Sequence, residues 1–226
     1  MIKAAVFDLD HTLFDRYATI AKVIPELRKK VNTPDNITDE YFCEQLCFAD
    51  RQFVHHGWEE IHAYLIKRGI VPETVLYEDY KEAVLSCFKG TAVPFDFSIN
   101  ILSEIRKLGV KTGLITNGRH EVQASKLKLL GLENSFDNIV ISGDYGFSKP
   151  DERIFRAAAE NLGVEMSEMM YVGDHPKFDV DGSRRAGCIP VWVKTTGTWI
   201  FPEIEKPELQ VETVKEIPAI IERLNG

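Results

Sequence analysis

The chain has no apolar run long enough to span a bilayer, so none of it reads as a membrane-spanning helix. Acids interrupt its first apolar run, so its start does not read as a secretory signal. Cysteine is sparse, at four residues in 226. A cytoplasmic protein with reduced thiols is the expectation. Basic residues are outnumbered, 27 against 35 acids, for a net charge of −8 and a pI near 5.3. That balance argues against a nucleic-acid polymer as partner. It leaves room for a small anionic substrate, because a local pocket can be positive on an acidic protein. Internal repeats and low-complexity segments are absent, and nothing in the sequence speaks to oligomeric state. What is present is an ordinary globular balance, 44% hydrophobic and 27% charged, long enough for one large domain or a domain with a smaller companion.

The stretch AAVFDLDHT at residues 4–12 is the most informative. An apolar run ends in Asp8 and Asp10, one residue apart. Strand alternation puts residues i and i+2 on one face, so both carboxylates emerge together at the carboxyl end of a buried strand. Like charges held so close repel unless a cation joins them. The ordinary alternative is a strand end with two solvated acids in a turn.

Beyond Thr12 the periodicity turns helical over residues 15–93. Tyr17, Ile20, Ile24 and Leu27 form one stripe, with a kink or break expected at Pro25. A helix starting near Thr38 buries Phe42, Leu46, Ala49 and Phe53. A third carries Trp58, Ile61, Tyr64 and Leu65 up to Gly69, and a fourth covers 72–88. From residue 93 helices and short apolar runs alternate. Helices are expected at 97–108, 119–130, 151–162 and 178–186, each followed by glycine; strands are expected at 111–115, 136–141, 169–172 and 189–193. That alternation marks an α/β fold: a Rossmann-like parallel sheet of about five strands, with helices on both faces and an all-helical insertion. The domains are therefore placed at 1–14 with 94–226, and at 15–93. The tail from 201 is irregular until a short helix at 218–224.

Ligands of open α/β sheets bind at the carboxyl ends of the strands. Those ends deliver Asp8 and Asp10; Thr116, Asn117 and Gly118 of LITNG; Lys149 of SGDYGFSKP; Asp174, with Asp179 a helical turn on, of GDHPKFD; and Lys194. Each has an ordinary explanation: a helix cap and turn at 116–118, a surface lysine before a proline at the first helical position, another strand-end acid. Together they complement one another. Asp8, Asp10 and Asp174 can hold a hard dication such as Mg²⁺, which takes few carboxylates, waters and a substrate phosphate. A hydroxyl, a lysine and helix N-terminal amides can hold phosphate oxygens.

These four motifs, in this order, resemble the haloacid dehalogenase superfamily, in its phosphatase branch with a helical cap inserted after the first strand. The resemblance covers nearly the whole chain. It implies that Asp8 attacks phosphorus to form an aspartyl-phosphate, and that Asp10 protonates the leaving oxygen and then deprotonates water. It implies a Mg²⁺ held by Asp8, the Asp10 carbonyl and Asp174, and phosphoryl oxygens held by Thr116, Asn117 and Lys149. Asp179 would orient Lys149 or a water of the metal, and Thr12 would buttress the turn. The family's dehalogenases lack an acid at the position of Asp10, so Asp10 speaks for phosphoryl chemistry. The implied partner is a small phosphorylated metabolite: a nucleotide, phosphoglycolate or a sugar phosphate. The alternatives are a phosphomutase, a phosphonate hydrolase using a cap lysine (Lys22, Lys29 or Lys30), and a non-catalytic phosphometabolite-binding protein.

The inserted cap would close over substrate. Arg16 and Tyr17 are its candidate substrate contacts, with His55, His56 and Trp58 behind them, and His11 is expected to line the entrance. Cys43 and Cys47, four residues apart with His55, His56 and His62 downstream, allow a zinc site; the ordinary reading is a helix face burying two small thiols beside Phe42 and Leu46.

Overall fold

The structure is a computed structural model that describes residues 1–53, 57–95, 98–196, 199 and 201–226. The chain divides into two compact units, Met1–Asp15 with Pro94–Gly226, and Arg16–Val93.

In the first unit, β1 (Ala4–Phe7) precedes the helical unit in the chain. The helical unit contributes α1 (Arg16–Lys30), α2 (Asp39–Phe53), α3 (Trp58–Lys67) and α4 (Tyr77–Lys89). The first unit then resumes with α5 (Ser98–Lys107), β2 (Lys111–Thr116), α6 (His120–Leu129), β3 (Asn138–Ile141), α7 (Glu152–Leu162) and β4 (Met169–Gly173). It ends with α8 (Gly182–Arg185), β5 (Ile189–Val193), β6 (Leu209–Val211) and α9 (Ile217–Asn225).

Among the described residues the strands form one six-stranded parallel sheet in the order β3-β2-β1-β4-β5-β6. The sequence expectation of about five strands falls one short. β6 is only three residues long and follows Pro207, so it carries no readable period, yet it pairs with β5 through Val191, Trp192 and Val193. The strand order reverses beside β1, which makes its carboxyl end the ligand-binding position of a doubly wound sheet. Phe7 lies level with Leu114 and Val172. Asp8, Thr116 and Asp174 follow within two residues of that level and so emerge along one edge.

Ala4 and Val6 pack with Ile154, Phe155, Ala158 and Leu162 of α7. Ala5 and Phe7, on the opposite face by alternation, are equally buried, so the strand is covered on both sides. α7 is well specified locally. Asp151 caps its start by accepting from Arg153 N at 3.0 Å, and Gly163 ends it in the left-handed region, where a glycine carries no Cβ penalty. Pro150 therefore precedes the cap and does not open the helix.

The helical unit packs Ile20, Ile24 and Leu27 of α1 with Phe42 and Leu46 of α2, Ile61 and Leu65 of α3, and Tyr80 and Val84 of α4. The break expected at Pro25 does not occur, because α1 runs through it. Pro25 and Ala21 face solvent, so the Ala21 carbonyl that loses its helical donor can turn to water while the buried stripe holds the helix together. α4 begins at Tyr77, with residues 72–76 in a turn ahead of it. Among the described residues Cys43 and Cys47 pack against this core, and His62 bonds the Val75 carbonyl at 3.0 Å and stacks on Tyr80. His55 and His56 lie outside the described residues.

Arg16 is buried in this unit. Its Nε and Nη2 donate to Asp50 at 2.9 and 2.6 Å, and its guanidinium lies over the Trp58 and Phe88 rings. Removing one partner of such a pair strands a buried charge. Asp50→Ala is expected to destabilise the protein by about 3–5 kcal/mol, read by urea denaturation. A loss below about 1 kcal/mol, the size of an exposed pair, would show that water reaches the guanidinium.

Candidate active site

The ammonium of Lys149 sits at the centre of the site. Its Nζ donates to Asp8 Oδ1 at 2.6 Å, Asp179 Oδ1 at 2.7 Å and the Tyr171 hydroxyl at 2.8 Å. All three hydrogens of the ammonium are thus engaged. Tyr171 reaches up from within β4, and its hydroxyl passes a hydrogen bond to the Ile115 carbonyl at 3.2 Å. Lys149 is held at its backbone as well. The Asn117 side chain accepts from Lys149 N at 2.9 Å and donates to Lys149 O at 3.0 Å. The surface lysine that sequence context allows is in fact buried.

Asp179 stands in a π-helical turn, Pro176–Asp181, and its other oxygen accepts from His175 N at 2.9 Å. The turn lays its carboxylate against the backbone of Gly173, where a Cβ would come within 2.5 Å of the carboxyl group. Glycine before Asp174 is therefore a packing requirement. Trp192 of β5 donates from Nε1 to the Asp174 carbonyl at 2.9 Å and fixes that backbone from the other side.

Asp8, Asp174 and Asp179 are all buried and offer carboxylate oxygens within 4.8 Å of one another. Burial pushes Asp8 up from 3.8 to about 7; Lys149 opposes this in part, while Asp179 and Asp10 add to it. Burial also raises Asp174 well above the carboxylate range, with Asp179 and Asp8 contributing. Burial would lower Lys149, but Asp179 and Asp8 outweigh it and hold the ammonium well above its ordinary value. One ammonium among three buried carboxylates leaves negative charge uncompensated. This oxygen-only, buried donor set fits a hard divalent cation.

Asp10 has a separate environment. Lys126 Nζ of α6 lies 2.8 and 3.0 Å from its two oxygens, and Gln123 Nε2 donates to Oδ2 at 3.1 Å. Gln123 Nε2 also donates to the Thr116 hydroxyl. The Thr12 hydroxyl, expected to buttress this turn, is buried without a hydrogen-bond partner among the described residues; the turn is held by backbone bonds from Thr12 N and Leu13 N to the Leu9 carbonyl. His11 occupies the left-handed region within that turn.

Asp8, Thr116, Asn117, Lys149, Asp174 and Asp179 thus gather at one sheet edge with Asp10 beside them, and Thr12 lies buried in the Asp10 turn. Arg16 and Tyr17 belong to the helical unit, where Arg16 pairs with Asp50 and the Tyr17 hydroxyl accepts from Arg51 at 3.2 Å. Lys194 turns to Glu212 at 3.0 Å. Gln123, Lys126, Tyr171 and Trp192 were not anticipated. A signal existed for the first two: at 123 and 126 the inward face of α6 is polar where an amphipathic helix carries apolar residues.

Clustered carboxylates, a buried ammonium and a hydroxyl at the switch point of a doubly wound sheet mark the candidate active site of an α/β enzyme. The family model described as haloacid dehalogenase-like hydrolase matches residues 5–193, and the chain belongs to that family. It is 30% identical over 208 residues to a glyceraldehyde 3-phosphate phosphatase of Methanopyrus kandleri, covering 86% of this chain and 84% of that protein. It is 40% identical over 116 residues to a phosphoserine phosphatase of Thermus thermophilus, covering 51% of this chain and 46% of that one. Among solved structures it is similar to a putative HAD-hydrolase YfnB from Bacillus subtilis bound to magnesium, with a TM-score of 0.77 at 22% identity, covering 97% and 98% of the two chains. The chain is accordingly a hydrolase of phosphate esters.

Between pH 3.8 and about 7 the folded, metal-free protein keeps on Asp8 a proton that the unfolded chain has lost. Asp8 therefore contributes a stability that falls as pH rises through that window. In metal-stripped protein Asp8→Asn is expected to raise Tm at pH 8 and to change it little at pH 4. A lower Tm for the variant at pH 8 would mean that Lys149 more than repays the burial of an ionised Asp8.

Proposed function

We propose that this chain is a Mg²⁺-dependent phosphatase of small phosphomonoesters that works through an aspartyl-phosphate. The observation that carries the reading is the contact of Lys149 with Asp8 at the end of β1, beside Asp174 and Thr116. It joins a nucleophile, a cation site and an anion holder on one sheet edge.

The Asp8 carboxylate attacks phosphorus as the ester P–O bond breaks, and Asp10 gives its proton to the departing oxygen. Water then attacks the aspartyl-phosphate, Asp10 takes a proton from it, and inorganic phosphate leaves with Asp8 restored. Lys149, whose hydrogen on Asp8 is released as Asp8 attacks, and the Thr116 hydroxyl hold phosphoryl oxygens. Asn117 serves through its side chain by pinning the backbone of Lys149. Asp8, the Asp10 carbonyl and Asp174 would hold the divalent cation, with Asp179 turned to Lys149. When bound, the cation supplies positive charge against the buried carboxylates and the transferring phosphoryl group.

The substrate class follows the relatives, which act on glyceraldehyde 3-phosphate and phosphoserine, both small phosphate monoesters. We assign choice among such esters to the helical unit as a cap, because the assembled side chains of the first unit address only the phosphate. No helix of the described residues is long and apolar enough to cross a membrane. The four cysteines are unpaired, which supports placing the enzyme in the cytoplasm.

Inorganic phosphate release is expected from p-nitrophenyl phosphate and from a panel holding glyceraldehyde 3-phosphate, phosphoserine, phosphoglycolate, nucleoside monophosphates and sugar phosphates, with Mg²⁺ and not with EDTA. Asp8→Asn is expected to lower kcat at least about 10³-fold. Retention of most of the activity would remove Asp8 as the nucleophile, and silence across the whole panel would remove the phosphatase reading.

A further inference from the structure

α6 turns two polar side chains inward where a helix covering a sheet carries apolar ones. Lys126 is 6% exposed and Gln123 is 2% exposed. Burying an ammonium is unfavourable unless a partner compensates it. Lys126 has that partner in Asp10, which it meets at both carboxylate oxygens, while its ammonium lies 5.2 Å from the centre of the Phe14 ring. Gln123 adds a third bond to the same carboxylate.

The direction of the Gln123 bonds is determined by its partner. A carboxylate only accepts, so the amide end facing Asp10 is the NH₂. One hydrogen goes to Asp10 Oδ2 and the other to Thr116 Oγ1. A threonine hydroxyl that accepts from Gln123 keeps its own hydrogen to give. Gln123 therefore turns Thr116 into a donor, the role a phosphoryl oxygen requires, while it holds Asp10.

We propose that Lys126 and Gln123 are positioning residues that hold the Asp10 carboxyl group in its proton-transfer orientation and, through Gln123, couple it to the phosphate-holding hydroxyl of Thr116. This rests on the phosphatase reading above and goes beyond it by assigning α6 a part in the leaving-group step. In that step the bond from Asp8 oxygen to phosphorus forms, the ester P–O bond breaks, and a proton that Asp10 has taken up from water beforehand passes to the leaving oxygen. An alkoxide needs that proton to depart, whereas a dinitrophenolate departs without it. Loss of Asp10 orientation must therefore penalise alkyl esters selectively. A purely structural ion pair would change stability and leave the ester preference alone.

The experiment compares kcat/KM for the best alkyl phosphate of the panel with kcat/KM for dinitrophenyl phosphate. This ratio reports the steps through formation of the aspartyl-phosphate and excludes its hydrolysis. Lys126→Met keeps an unbranched stem against Phe14 and removes the charge. It is expected to lower kcat/KM for the alkyl ester about 10²-fold, the scale of general acid catalysis and of small misplacements, and for the dinitrophenyl ester less than about 3-fold. Lys126→Arg, which can again donate to both oxygens, is expected to recover the alkyl ester to within about 10-fold of wild type. If the methionine variant does not fold by circular dichroism, Lys126→Gln takes its place with the same ester split expected. Equal losses on the two esters, or an unchanged alkyl rate, overturn the positioning role while leaving the phosphatase reading intact. A wild-type protein that hydrolyses neither ester overturns both.

Discussion

The site depends on one buried ammonium. Lys149 holds Asp8 and Asp179, two carboxylates that would otherwise repel each other in a water-poor setting. Much of the surrounding architecture serves that contact. Tyr171 supplies the third acceptor from inside the sheet, Asn117 pins the lysine backbone, and the π-helical turn after β4 brings Asp179 inward. Gly173 is required because that carboxylate lies directly against it. Without the ammonium the three clustered acids would have no protein cation among the described partners, and burial would favour their protonated forms.

The two acids of the first motif, nearly adjacent in the chain, acquire different surroundings. Asp8 faces a buried group of like charges with one shared ammonium. Asp10 faces α6, where a lysine and an amide hold it. Two carboxylates of one motif thus sit in distinct electrostatic environments, one sharing a buried ammonium with other acids and one paired with its own lysine. The Gln123 amide connects Asp10 to Thr116, so both side chains are held by one helix. A fold that places β1 between β2 and β4 makes this possible, since α6 follows β2 and Asp174 follows β4.

Much of this was legible along the chain. Strand and helix periods located most elements, and the glycines after helices marked their ends. The main departures have local causes. β6 is too short to show alternation, Pro25 lies on a solvent face that tolerates it, and the residues after β4 wind into a π-helical turn that a regular helical period cannot signal. Arg16 is a candidate substrate contact by its closeness in sequence to the first motif, and its pairing with Asp50 is a contact that such closeness does not report.

The sequence by itself determined which chemistry stands at the strand ends. Apolar runs that stop at Asp8, Thr116 and Asp174 place those residues at the carboxyl edge of a parallel sheet, because strand direction and right-handed crossovers leave little choice. Only the tertiary structure decided who partners whom. Lys126 meets Asp10 across 116 residues of chain, and Lys149 meets Asp8 across 141. Periodicity reports which face of an element is buried. It carries no information about which buried side chains on different elements will touch. That is set by strand order and helix packing, and here those put the ammonium of Lys149 between two acids and the ammonium of Lys126 against Asp10.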